Sequence, residues 1–168
     1  QMTPGAIENQ NKDVADVNLS LDIRDSMEDV VAQIDGEEID FGLFSNFYST
    51  GRNVFGMSTA QSRNFSSFKN RLEKLRNDSL RLNKGMQTEG DANRALNELF
   101  ENLNDKDLVR QRLKEISDIN KQAAAIKRGA IKLRREEFKL PDLDDAYFTE
   151  GRKTRDERRS EERRVGKE

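Results

Sequence analysis

The sequence predicts an all-α protein, a helical hairpin or small antiparallel bundle with coiled-coil character. Two observations carry this expectation. Apolar residues recur at three- and four-residue steps in three separate stretches, and no stretch shows the two-residue alternation of a half-buried strand. Residues that start and stop helices also fall where those stretches begin and end.

The first helix is expected over residues 58–83. Ser58 or Thr59 can cap it, neither glycine nor proline interrupts it, and Phe65, Phe68, Leu72, Leu75 and Leu82 form its apolar face. Ser79 stands where one apolar residue of that stripe is missing. Gly85 then supplies a stop, because glycine takes the left-handed conformation that closes a last helical turn. A second helix, 91–103, has Thr88 and Asp91 as candidate caps and Ala92, Ala95, Leu96, Leu99, Phe100 and Leu103 as its face. A third, 105–138, opens on Asn104 or Asp105. Its positions Val109, Leu113, Ile116, Ile119, Ala123, Ile126, Ala130 and Leu133 lie close to the 3.5-residue repeat of a coiled-coil seam. Gly129 inside it suggests a bend or a close backbone approach, at a cost of roughly 1 kcal/mol relative to alanine. Residues 58–139 are thus the expected bundle.

Composition limits what the flanks can do. Charged residues make up 37% of the chain against 33% hydrophobic, and the mean hydropathy is −0.96, so only about half of the chain is expected to be ordered by its own core. The first 50 residues carry eleven acids against Lys12 and Arg24, and residues 1–40 are expected to be mostly disordered apart from a short helix at 26–34. Residues 41–57 change character: they are aromatic, glycine-punctuated and nearly uncharged. Phe41, Phe44, Phe47, Tyr48 and Phe55 there read either as a clasp folded onto the helices or as an exposed partner-docking segment. After Pro141, residues 140–158 read as an extended acidic segment with Leu143, Tyr147 and Phe148 as anchors. Residues 159–168, RSEERRVGKE, are similar to the translation of a common sequencing adapter; the alternative is a solvated charged tail, and no function is assigned there. The chain starts at Gln1, and a fragment of a longer protein is expected.

Chemistry is constrained by what the chain lacks. It has no cysteine and no histidine, which removes thiol and imidazole catalysis, disulfides and the usual zinc ligands. Glu89 and Asp91 read as first-turn acids favoured by the helix dipole rather than as a catalytic pair, and Asp142, Asp144 and Asp145 lack the remaining ligands of a calcium loop. No cofactor, metal or small-molecule substrate is expected. Neither a leader peptide nor an apolar run long enough to span a bilayer is apparent. The most basic window before the tail is 127–135, KRGAIKLRR. Lys127, Arg128, Lys132, Arg134 and Arg135 could neutralise nucleic-acid phosphates or anionic lipid head groups, or could be the wet side of a helix.

One stretch resembles a known group. LNKGMQTEGDANRAL, followed by LKEISDINKQAAAI, is similar to the C-terminal helical region of internal virion, or DNA-ejection, proteins of short-tailed bacteriophages. Lys84, Gly85, Gln87, Thr88, Glu89, Gly90, Asp91, Arg94 and Ala95 carry the resemblance, with Ile116, Ile119, Asn120, Ala123 and Ala124 downstream. The resemblance covers about half the chain and implies a helical structural protein, packaged in the virion and released into the host envelope with the genome. It implies no catalytic residues. The expected partners are further copies of the chain or other virion proteins, with non-specific DNA or membrane-surface contact. An acidic block on one copy could face a basic block on another. Two alternatives are a scaffolding or adaptor protein that binds a capsid or portal partner through the aromatic segment, and a basic helical nucleic-acid binder.

Overall fold

A computed structural model describes residues 1–51, 56–149 and 155–167. Seven helices and no strand are found among them: α1 (Pro4–Asp35), α2 (Phe41–Thr50), α3 (Thr59–Asn83), α4 (Glu89–Glu101), α5 (Lys106–Glu137), α6 (Ala146–Thr149) and α7 (Arg155–Val165). The chain divides into two compact units, one made of Gln1–Asn18 and Ala125–Glu168 and the other of Leu19–Ala124.

Local chemistry sets the helix ends in the Leu19–Ala124 unit. Ser58 accepts a hydrogen bond from the Gln61 amide while the Gln61 side chain accepts from the Ser58 amide, a reciprocal cap that starts α3. Asp40 accepts from the Leu43 amide at the start of α2, and Asp105 from the Leu108 amide at the start of α5. Gly51 and Gly85, at φ 66° and 76°, take the left-handed conformation that a Cβ would strain. The start of α4 departs from expectation. Thr88 stands at the cap position in helical conformation and makes no cap hydrogen bond, and Asp91 lies in the first turn, paired with Arg94 at 2.6 Å. The hydroxyl of Thr88 is taken by a stronger claim, a buried hydrogen bond to Asn83.

The core of this unit joins residues of α1 to α5. Phe44, Phe68, Leu72, Leu75, Leu82, Leu99, Leu113 and Ile116 are almost completely buried. The aromatic segment is its centre: the Phe44 ring lies 5.0 Å from Phe68 and 5.5 Å from Phe65, both edge-on, and Phe41 meets Phe68 edge-on at 5.9 Å. The three-residue spacing of Phe41, Phe44 and Phe47 puts all three on one face of α2, and all are buried.

Two expectations are corrected here. Residues 1–40 are not disordered: Pro4–Asp35 forms one helix of 32 residues. In the Leu19–Ala124 unit its Ile23, Met27, Val30 and Ile34 repeat at four, three and four residues and are buried, which extends towards the N-terminus the apolar face expected of the short helix at 26–34. The second correction concerns α5. Val109, Leu113, Ile116, Ile119 and Ala123 are buried as expected, but Ile126 and Leu133 are exposed and Ile131 is fully buried in their place. Ile126 and Leu133 continue the row of Ile119, which lies one residue short of the strict seven-residue register through Val109, Leu113, Ile116 and Ala123.

In the other unit, Val17, Ile131 and Phe148 are buried. Beyond α5 the chain runs without regular structure to α6; Phe148 anchors it, Leu143 is half-buried and Tyr147 is exposed, so two of the three expected anchors hold. The exposed, charged α7 contributes no buried residue among those described. Gly129 is helical, and a Cβ built on it meets nothing within 4 Å among the described residues beyond its own helix backbone, so of the two expected reasons for it, a bend or a close approach, the approach is not observed there. Gly129→Ala should therefore stabilise the chain by about 1 kcal/mol in urea denaturation.

Candidate functional site

The basic window 127–135 occupies the last third of α5, and the Gln1–Asn18 and Ala125–Glu168 unit supplies partners for most of it. Lys127 lies 3.2 Å from Asp16 and 3.6 Å from Asp13, and Arg134 donates to Asp13 at 2.8 Å. Asp13 is 7% exposed, so this cluster is largely withdrawn from solvent, where an unpaired carboxylate would be costly. Arg135 donates to the Gln10 side chain at 3.3 Å and to the Pro141 carbonyl. Arg128 grips Asp142 through both terminal nitrogens, at 2.8 and 3.1 Å, donates to the Leu143 carbonyl and stacks 4.7 Å over the Phe148 ring. Four of the five candidate polyanion contacts are therefore engaged within the chain. Lys132 is exposed and makes no ion pair among the described residues.

The docking candidates have a similar outcome. Phe41, Phe44 and Phe47 are core residues and present no free surface. Tyr48 is half-buried against Phe44 and Phe100. Burial pushes its hydroxyl pKa up, with the nearby Arg76 opposing the shift. Phe55 lies outside the described residues.

A site that the sequence did not announce lies at the junction of α3, the following turn and α5. Asn83, Ser79, Thr88 and Asn120 are all at least 96% buried and form a closed set of hydrogen bonds. The Asn83 amide donates to the Asn120 side-chain carbonyl and to the Ser79 main-chain carbonyl, each at 2.8 Å. Thr88 donates to the Asn83 side-chain carbonyl at 2.6 Å, and the Asn120 amide donates to the Ser79 hydroxyl at 2.9 Å. The only advance sign was Ser79 interrupting its stripe. The arrangement holds elements in register; it places no titratable group beside a nucleophile. Among the described residues, no group of three His, Cys, Asp or Glu could hold a metal ion, and no helix is long and apolar enough to cross a membrane.

The described residues thus form an all-α structure in which most of the basic window is paired within its own unit. Comparison with protein-family models, curated protein sequences and solved structures gives no match.

Two outcomes follow from this geometry. Replacing Asn120 with leucine strands the Ser79 hydroxyl and part of the Asn83 amide. Denaturant titration should register a loss of roughly 1–3 kcal/mol, the cost of orphaning buried polar groups. The second concerns Asp142, whose carboxyl pKa is lowered chiefly by its hydrogen bonds from Arg128. A depressed folded value means that its stabilising contribution is complete above the ordinary carboxylate range and is lost as pH falls through the folded value. NMR titration of the Asp142 carboxyl should show its midpoint moving upward in Arg128→Gln.

Proposed function

We propose that this chain is a non-enzymatic structural component of a short-tailed bacteriophage virion, part of the genome-ejection apparatus, that acts through helical self-assembly. In this reading it is carried in the capsid and delivered into the host envelope, where weak contacts with DNA or a membrane surface assist it. The resemblance at residues 84–95 and 116–124 and the all-helical fold support the reading. The observation that carries its self-assembly part is the open face of α5. Ile126 and Leu133 are exposed, sit seven residues apart on that face, and have Gly129 between them, whose would-be Cβ meets nothing within 4 Å among the described residues beyond its own helix backbone. Antiparallel pairing of two copies about Gly129 sets Ile126 of one against Leu133 of the other twice over, the isologous geometry of a two-fold dimer. Burial of an aliphatic side chain contributes about 1.5–3 kcal/mol, so two such contacts support a weak, concentration-dependent association.

Because most of the basic window is engaged internally, contact with DNA in this reading is weak and non-specific. The burial of Phe41, Phe44 and Phe47 favours this reading over an adaptor that docks through that face of α2. Size-exclusion chromatography with light scattering, with and without DNA or liposomes, tests the proposal. Self-association that rises with concentration and is lost in Ile126→Glu with Leu133→Glu, at unchanged helicity, is expected. A parent chain that stays monomeric at every concentration, with or without those additives, overturns it.

A further inference from the structure

Within the Leu19–Ala124 unit, α1 and α5 border a cavity of about 260 Å³. Its aliphatic wall is made by Leu21, Ile23 and Met27 from α1 and Ala124 from α5. Two cations line the same cavity from opposite helices, Arg24 on α1 and Lys121 on α5, and both are exposed. Arg24 meets Asp25 at a loose 3.7 Å, whereas Lys121 makes no ion pair among the described residues. Asn120 also borders the space, but its amide donates to Ser79 and its carbonyl accepts from Asn83, which fixes that wall and occupies its polar groups. Recognition of a polar head group then falls to the two cations and to the hydroxyl of Ser117.

We propose that this cavity binds a free aliphatic carboxylate of medium chain length, with its head between Arg24 and Lys121 and its chain over Leu21, Ile23 and Met27. The volume lies just below the roughly 300–1,000 Å³ typical of pockets for drug-sized ligands, which suits a slim chain. Aliphatic walls favour a hydrocarbon tail, and a forked guanidinium matches a carboxylate through two parallel hydrogen bonds. A recess walled by two helices takes one chain at a time, so the occupant is a free acid rather than a bilayer surface. This inference is independent of the virion reading.

Calorimetric titration of the full chain with octanoate, octanol and octyltrimethylammonium, each below its micelle-forming concentration, tests it. Octanoate should bind, octanol at least about tenfold more weakly, and the cationic amphiphile more weakly still. Arg24→Gln with Lys121→Gln should abolish the preference for octanoate over octanol. Ala124→Leu, which fills the cavity, should weaken both ligands. Circular dichroism should give all variants the helicity of the parent, and Arg24→Lys with Lys121→Arg should keep the preference. Octanoate and octanol binding within about twofold of each other, or an unchanged octanoate affinity in the double glutamine variant, overturns the proposal. So does binding to anionic vesicles with none to monomeric octanoate, or no binding of octanoate at millimolar concentration.

Discussion

Four buried polar side chains impose the constraint on which the Leu19–Ala124 unit depends. Ser79 lies four residues after Leu75 and three before Leu82; Asn120 lies four after Ile116 and three before Ala123. Both occupy seam positions where an apolar residue would ordinarily sit, as a polar residue does when it fixes register in a coiled coil. The neighbouring aliphatic side chains provide the driving force but tolerate a slip, because one aliphatic contact replaces another at little cost. The hydrogen bonds do not. Moving α5 by one residue would swing Asn120 through about 100° and leave Asn83, Ser79 and Thr88 with buried, unmatched donors and acceptors. Asn83 and Thr88 extend the same requirement to the turn after α3, so the placement of α4 follows from it.

The ends of α3, α4 and α5 could be read from the sequence within a few residues because their signals are local. The Ser58 cap, the left-handed Gly85 and the Asp105 cap each act over three or four residues. The helix α1 could not be read that way. Its acids suggest a disordered chain when counted alone, yet Asp13 and Asp16 are met by cations more than 100 positions away, and no local window contains that information. The charge blocks were visible; that Asp13 and Asp16 meet Lys127 and Arg134 within one chain was not. In the candidate site, the cluster of basic residues at 127–135 was legible, but their engagement by Gln10, Asp13, Asp16 and Asp142 was not. The spacing of Phe41, Phe44 and Phe47 was a helical signal hidden by aromatic composition.

The departure at the end of α5 has a geometric origin. The strict heptad rows through Val109 and Leu113 run to Ala123 and Asn120, whereas Ile126 and Leu133 continue the row of Ile119, one residue short of them. The buried positions become Ile131 and the stem of Lys127, whose amine can still reach Asp13 and Asp16. Ile126 and Leu133 are displaced onto the outer side.

Enclosing Asp13 with Lys127 and Arg134 also decides how the outer face of α5 responds to its medium. With much of the nearby charge already neutralised at short range, added electrolyte has little between-molecule attraction to screen there. Strongly hydrated anions such as sulfate instead favour burial of the protruding isoleucine and leucine. Under the self-assembly proposed above, pairing across this face would tighten in brine, the reverse of what a chain so rich in alternating charge would suggest.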